Sequence, residues 1–143
     1  MVKYRVEANP IQFELKSTNE TDAGRPFWTL ETSIKWEFWA DDLKMIDTTC
    51  PVGMKTDLGS IPRALSSIVS GNDVWNIAYI LHDRWCSEKW LNSDLASELL
   101  YSACIRFGCP SWKAFIIYET VKNFGPKWTG GINQIKEVDN GNS

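Results

Sequence analysis

The sequence predicts an α+β fold: an N-terminal antiparallel β-meander packed on a C-terminal cluster of about three to four helices. Three observations carry that expectation. Segments before Thr56 alternate polar and apolar residues, most clearly in Ile34-Lys35-Trp36-Glu37-Phe38-Trp39, as a strand with one buried face does. Beyond Pro62 the apolar residues recur at three and four positions instead, the spacing of a helical stripe. The chain has 143 residues, 43% of them hydrophobic and 23% charged, the size and mix of one domain with its own core. That domain is expected to span residues 1–129, β-rich over 1–56 and helical over 61–128, with 130–143 as a flexible tail.

Taken in order, residues 4–8 and 12–16 each alternate around Asn9-Pro10, a turn signal, and predict a hairpin. Residues 18–26 are polar with glycine and proline and predict a loop. Residues 27–30 and 34–39 predict strands, Asp41-Asp42 turns the chain, and residues 43–48 predict another strand. Pro51-Val52-Gly53 then turns it toward Thr56. Residues 61–69 predict a short helix with Pro62 in the first turn, where its missing N–H costs nothing. Asn72 or Asp73 can cap the next helix, whose stripe is Val74, Ala78, Leu81 and Trp85. Asn92 or Ser93 caps a third, which stops at Gly108-Cys109-Pro110, and a fourth runs from Ser111 to the vicinity of Phe124-Gly125-Pro126.

Composition narrows the function classes. Eight tryptophans, six phenylalanines and four tyrosines imply a core or an interface built on large rings. A formal net charge of -3 and no cluster of lysine and arginine argue against a nucleic-acid binder, which neutralises phosphates with a basic face. The first residues, Met1-Val2-Lys3-Tyr4-Arg5-Val6-Glu7, alternate and do not resemble a signal peptide. No stretch reaches the roughly 18 apolar residues of a membrane span. Cys50, Cys86, Cys104 and Cys109 show no paired two-residue spacing, so they read as reduced, mostly buried thiols and not as a zinc site.

Candidate chemistry centres on Leu81-His82-Asp83-Arg84-Trp85-Cys86, which holds the one histidine in the chain. A neutral imidazole can take a proton from water while a neighbouring carboxylate binds a hard cation. The plain alternative is a structural histidine satisfied by a carbonyl. The stretch Thr56-Asp57-Leu58-Gly59-Ser60-Ile61-Pro62-Arg63 lies between strand-like and helix-like regions, where loops carry functional groups, and the two stretches read as two walls of one site. Asp57 and Ser60 offer a ligand or orienting pair, or an Asx-type turn followed by a helix cap. Ser60 lacks the flanking glycines of a nucleophile elbow, and Arg63 could bind an anion or pair with Asp57. Trp36, Phe38 and Trp39 read as packing rather than a ligand cage.

The order Pro51-Val52-Gly53-Met54, Thr56 to Arg63, Leu81-His82-Asp83, then Phe107-Gly108-Cys109-Pro110-Ser111-Trp112-Lys113-Ala114 resembles the phage-associated protein family of unknown function numbered 1353, over roughly residues 44–128. The resemblance implies a phage or prophage origin, a host-cytoplasmic or virion location, and a compact α+β domain whose partners are other virion proteins or a host protein. The His-Asp pair is also similar, locally, to the catalytic helix of secreted phospholipase A enzymes. There the histidine activates water, the adjacent aspartate binds calcium, and an aspartate on a second helix orients the histidine. Carried over, this implies His82 as base, Asp83 and Asp57 as ligands of a divalent cation such as calcium, Arg63 or loop amides at an oxyanion, and Asp94 orienting His82. The chain departs from the family at Ser97, which stands where an aspartate is usual, and at Cys86, where an aromatic residue is usual. It also lacks the disulfides and glycine-rich calcium loop of the phospholipases. Two readings stay open: a small hydrolase-like phage protein, and a non-enzymatic virion protein or host-factor inhibitor in which the same residues brace loop to helix.

Overall fold

The computed structural model describes residues 2–22, 25–56 and 74–133. It is an α+β arrangement of two three-stranded antiparallel sheets followed by three helices. The first sheet has the order β1 (Tyr4–Asn9), β4 (Ile34–Ala40), β5 (Leu43–Cys50). The second has the order β2 (Leu15–Asp22), β3 (Arg25–Leu30), β6 (Lys55–Thr56). β4 is the central strand of the first sheet, and its alternation is realised as expected: Ile34, Trp36, Phe38 and Ala40 are all buried. On its other face Trp39 lies under the Arg5 guanidinium at 4.6 Å and donates to Glu37 at 2.7 Å. Its polar tip and cationic neighbour suit a solvent-side ring. Asp41-Asp42 makes the β4–β5 turn, and Asp41 accepts from the Lys3 backbone N–H at 2.9 Å, tying the turn to the start of β1.

The pairing differs from the expected hairpin over residues 4–16. β1 pairs with β4, placing Val6 opposite Phe38 and Ala8 opposite Trp36, and β2 belongs to the other sheet. Burial explains this: β1 gains an apolar partner face from β4 that polar β2 cannot supply. The expected loop over residues 18–26 contains instead the ends of β2 and β3, paired with a register shift between Ser17 and Thr21. Thr18 donates its hydroxyl to the Phe27 carbonyl at 2.9 Å, and its oxygen accepts from the Glu20 N–H at 3.1 Å. Gly53, at φ 90°, allows the turn that returns its N–H to the Leu30 carbonyl at 2.7 Å and leads into β6.

The helix expected over residues 61–69 lies outside the described residues. The three described helices are α1 (Asn76–Glu88), α2 (Ser93–Arg106) and α3 (Ser111–Phe124). Val74, expected on the α1 stripe, precedes the helix and is exposed, whereas Ala78, Leu81 and Trp85 are fully buried. α1 ends at Lys89, in the left-handed region at φ 56°, with its N–H on the Trp85 carbonyl. Asn92 caps α2 as expected, its side-chain oxygen accepting from the Leu95 N–H at 2.8 Å. α2 lies against β1, fastened by Arg106, whose guanidinium donates to both Glu7 carboxylate oxygens at 2.9 and 3.3 Å.

Trp85 joins α1 to the first sheet, meeting Trp36 edge-on at 5.7 Å between ring centroids. Trp90 meets the same Trp36 ring at 5.8 Å. Residues 130–133, the first of the expected tail, run beside Leu91. The Ile132 N–H donates to the Trp90 carbonyl at 2.8 Å, and the Ile132 carbonyl accepts from the Asn92 N–H at 2.9 Å. Gly131 permits this approach, since a Cβ there would meet the Lys89 carbonyl oxygen at 2.6 Å. Residues 134–143 lie outside the described residues. No described helix is long and apolar enough to cross a membrane.

Candidate functional site around His82 and Asp83

Adjacent residues on a helix point roughly 100 degrees apart, so a helix with one buried face would leave His82 or Asp83 in solvent. α1 instead is packed on all sides along this stretch: Asn76 through Asp83 are buried without interruption. His82 is 1% exposed and Asp83 8%. Such positions are costly for polar groups unless hydrogen-bonded, and each has neighbours suited to it.

Asp83 Oδ2 accepts a hydrogen bond from the hydroxyl of Thr56, itself buried, at the end of β6. Thr56 opens the stretch that runs on to Arg63. Among the described residues, the two stretches singled out from the sequence are therefore joined by a buried contact across 27 positions. Asp57, Ser60 and Arg63 lie outside the described residues. From β5, Cys50 reaches the same corner, where burial pushes its thiol up to about 12, with Arg84 pulling it down and Asp83 adding to the rise. A buried thiol there stays protonated, because the Arg84 charge only partly offsets the cost of a desolvated thiolate. Arg84 donates to Glu88 at 2.9 Å and stacks over Trp90 at 5.3 Å.

His82 lies edge-to-face with Trp85, centroids 6.3 Å apart at 85°. One turn on, Cys86 brings its Sγ to 3.7 Å from Nδ1 and 3.9 Å from Nε2 of the imidazole. Cys86 is partly exposed, while Cys50, Cys104 and Cys109 are buried. The chemical content of the site is thus an imidazole beside a partly exposed thiol, followed in sequence by a carboxylate anchored to the sheet.

Asp94 is placed elsewhere. It stands exposed in the first turn of α2, where a carboxylate faces the positive end of the helix dipole. Among the described residues it shares no hydrogen bond with His82. Its charge acts instead on Lys122 of α3, whose ammonium is raised chiefly by a hydrogen bond to Tyr118 and only slightly by Asp94. Ser97, one turn further along α2, is buried and donates to the Ser93 carbonyl at 3.0 Å. For the expected cation, no three His, Cys, Asp or Glu side chains converge among the described residues. Among the described residues, Asp83 is the carboxylate that the site contributes. Sequence reasoning gave Thr56 and Cys86 no role. The spacing of four between His82 and Cys86 was the available signal, because such pairs are neighbours on a helix surface. Nothing local marks Thr56 as the partner of Asp83.

Comparison with known proteins places these residues in a family. The chain is 30% identical over 116 residues to an uncharacterized protein, y4jT, of Sinorhizobium fredii (strain NBRC 101917 / NGR234). The match covers 80% of this chain and 33% of the relative, so this chain spans about a third of that protein's length. No solved structure matches it. A family model matches residues 28–121, from β3 through most of α3, and includes Thr56, His82 and Asp83. On that match the chain belongs to DUF1353, a family titled as proteins of unknown function.

Proposed function

We propose that the chain is a bacteriophage-encoded accessory or virion-associated protein whose helix α1 carries a hydrolase-like His-Asp site. The observation that carries the site reading is the Thr56–Asp83 hydrogen bond, which joins the first residue of one candidate stretch to the aspartate of the other. The phage assignment rests on the motif resemblance. In this reading neutral His82 takes a proton from an attacking water, and the neighbouring Asp83 carboxylate offsets the charge of the imidazolium so formed. The imidazolium then returns the proton to the leaving oxygen or nitrogen of an ester, amide or phosphodiester. Arg63 or loop amides are the proposed oxyanion stabilisers, and Asp57 is with Asp83 the proposed carboxylate pair for a cation such as calcium.

The second reading is a non-enzymatic virion protein or host-factor inhibitor, and the near-complete burial of His82 and Asp83 favours it. Asp83→Asn separates the two, since an amide oxygen still accepts from Thr56 while the charge is gone. A catalytic site predicts that wild type hydrolyses a member of an ester, amide and phosphodiester panel, with or without calcium, magnesium, manganese or zinc. Asp83→Asn and His82→Ala would then lose that turnover, and Asp83→Asn would keep an unfolding midpoint close to wild type. A cation acting through Asp83 would raise the wild-type midpoint and leave that of Asp83→Asn in place. Wild type inert across the panel and unshifted by every cation would sink the hydrolase reading and leave the brace.

A further inference from the structure

We propose that the outer face of α3 is a membrane-docking surface, which lays Trp112, Phe115 and Ile116 into an anionic lipid headgroup layer. Single exposed apolar residues are ordinary, but a contiguous exposed patch that includes aromatic rings marks an interaction site. At roughly 100 degrees per residue, Trp112, Phe115 and Ile116 share an arc of about 100 degrees near the start of α3, and all three are exposed. Lysines bracket that arc. Lys122 stands beside Phe115 at one edge, and Lys113 beyond Ile116 at the other. The Lys113 ammonium lies 5.3 Å from the centroid of the Trp75 ring and 5.7 Å from that of Trp112, so a cation is held beside the exposed indole.

Charge selects the occupant. Residues 111–127 carry Lys113, Lys122 and Lys127 against Glu119 alone, in a chain whose net charge is -3, so α3 presents a basic strip on an acidic molecule. Lysines flanking Trp and Phe suit a helix seated at a lipid surface, where the rings enter the acyl boundary and the ammonium groups stay with the phosphates. A protein partner favours a different composition, since interface cores are depleted in lysine and enriched in arginine, and residues 111–127 contain no arginine. A second copy is short of area. The Trp112 and Phe115 rings, of roughly 150 to 250 Å² each and half or more exposed, give with Ile116 about 300 Å², whereas a stable complex buries roughly 800 Å² per partner. Glu119 stands in the same arc one turn further on, and it and Asp94 of α2 both act on Lys122. These two carboxylates weaken the strip and set how anionic the surface must be.

The test is co-flotation with vesicles of phosphatidylcholine alone and of phosphatidylcholine mixed equally with phosphatidylglycerol, at low and at high salt. Wild type is expected to float with the anionic vesicles, to stay behind with the neutral ones, and to be released by salt. Trp112→Ser should weaken binding about tenfold, and Lys113→Gln and Lys122→Gln about fivefold each, while Glu119→Gln strengthens it. Lys55→Gln, the same charge change at an exposed position on β6, should leave binding as it is. The substituted side chains lie at the surface, and an unchanged unfolding midpoint verifies that each variant folds. Wild type that floats with neither vesicle would overturn the proposal, as would binding that Trp112→Ser and both α3 lysine variants leave unchanged. A wild-type dimer in analytical ultracentrifugation that Trp112→Ser dissociates would overturn it too, by giving the face to a second copy. None of these readouts depends on a hydrolysable substrate, so this inference and the hydrolase-like reading fail separately.

Discussion

Helices α1 and α3 are nearly equal in length and differ in how much, and what, they bury. α1 takes Asn76, His82 and Asp83 into the interior along with its apolar side chains. α3 buries only Ala114, Ile117 and Val121, and leaves Trp112 61% and Phe124 77% exposed, with Phe115 and Ile116 exposed as well. Hydrophobic content alone would have ranked them the other way. What separates them is position: α1 lies between the end of β6, through Thr56 and Asp83, and the face of β4, through Trp85 and Trp36. α3 packs on α2 along one narrow stripe of small and branched residues. Exposed apolar side chains are common on protein surfaces, while buried polar ones are rare and need partners. The informative residues of this fold are therefore the polar ones on its most buried helix.

The largest effect should come from cutting α1 away from the sheet. Trp85 is fully buried and packs against both Trp36 and His82. Trp85→Ala removes that ring and leaves a cavity, and is expected to cost about 3 to 5 kcal/mol. Chemical denaturation of wild type and variant reads this directly. A loss under about 1 kcal/mol would mean that α1 is not anchored through this contact, and the contrast with α3 would collapse.

The second effect tests how dry the corner beside Asp83 is. The Cys50 thiol is pushed up to about 12 from an ordinary 9.0, first by burial and then by Asp83, with Arg84 opposing. A pKa raised in the folded state means that the fold holds the proton more tightly than the unfolded chain does. The stabilisation is complete below the unfolded value and is lost as pH rises between about 9 and about 12. The slope approaches about 1.4 kcal/mol per pH unit within that window. Lysines and tyrosines titrate there too, so the quantity to measure is the difference in unfolding free energy between wild type and Cys50→Ala against pH. The difference should shrink as pH climbs. A difference that stays flat would mean that water reaches the β5–α1 corner.

Much of this could be read from residue order, and the failures have physical causes. The alternation in Ile34 to Trp39 located β4 and its buried face, Asn92 announced the start of α2, and Gly108-Cys109-Pro110 separated α2 from α3. These are local signals, carried by residues a few positions apart. The partner of β1 was not legible, because alternation reveals that a strand has a buried face and not which strand lies beside it. Most of β2 was hidden for a different reason: beyond the alternating residues 12–16, Thr18, Asn19 and Glu20 give it no alternation to detect. At the site, His82 beside Asp83 was evident, but their depth was not. The expected stripe of Val74, Ala78, Leu81 and Trp85 put His82 at its edge, and periodicity cannot foresee a helix packed on every side. Asp94 was chosen for being a nearby carboxylate, whereas its place in the exposed first turn of α2 turns it toward solvent.

The smallest effect completes the comparison. Phe115 and Trp112 are as apolar as anything in α1, and in the folded domain they remain largely in water. Truncating Trp112 to Ser gives up little buried area, and surface changes of this kind fall within about 0.5 kcal/mol of neutral. Phe115 also meets Tyr118 at 6.3 Å between centroids, so Phe115→Ser should lose slightly more than Trp112→Ser. Urea unfolding of both variants beside Trp85→Ala would place three aromatic deletions on one scale. If the α3 deletions approach the cost of Trp85→Ala, their side chains are covered in solution and α3 belongs to an interior as α1 does. If they remain near neutral, burial rather than aromatic content sets what a ring contributes here, and the outer face of α3 is free to vary without disturbing the site on α1.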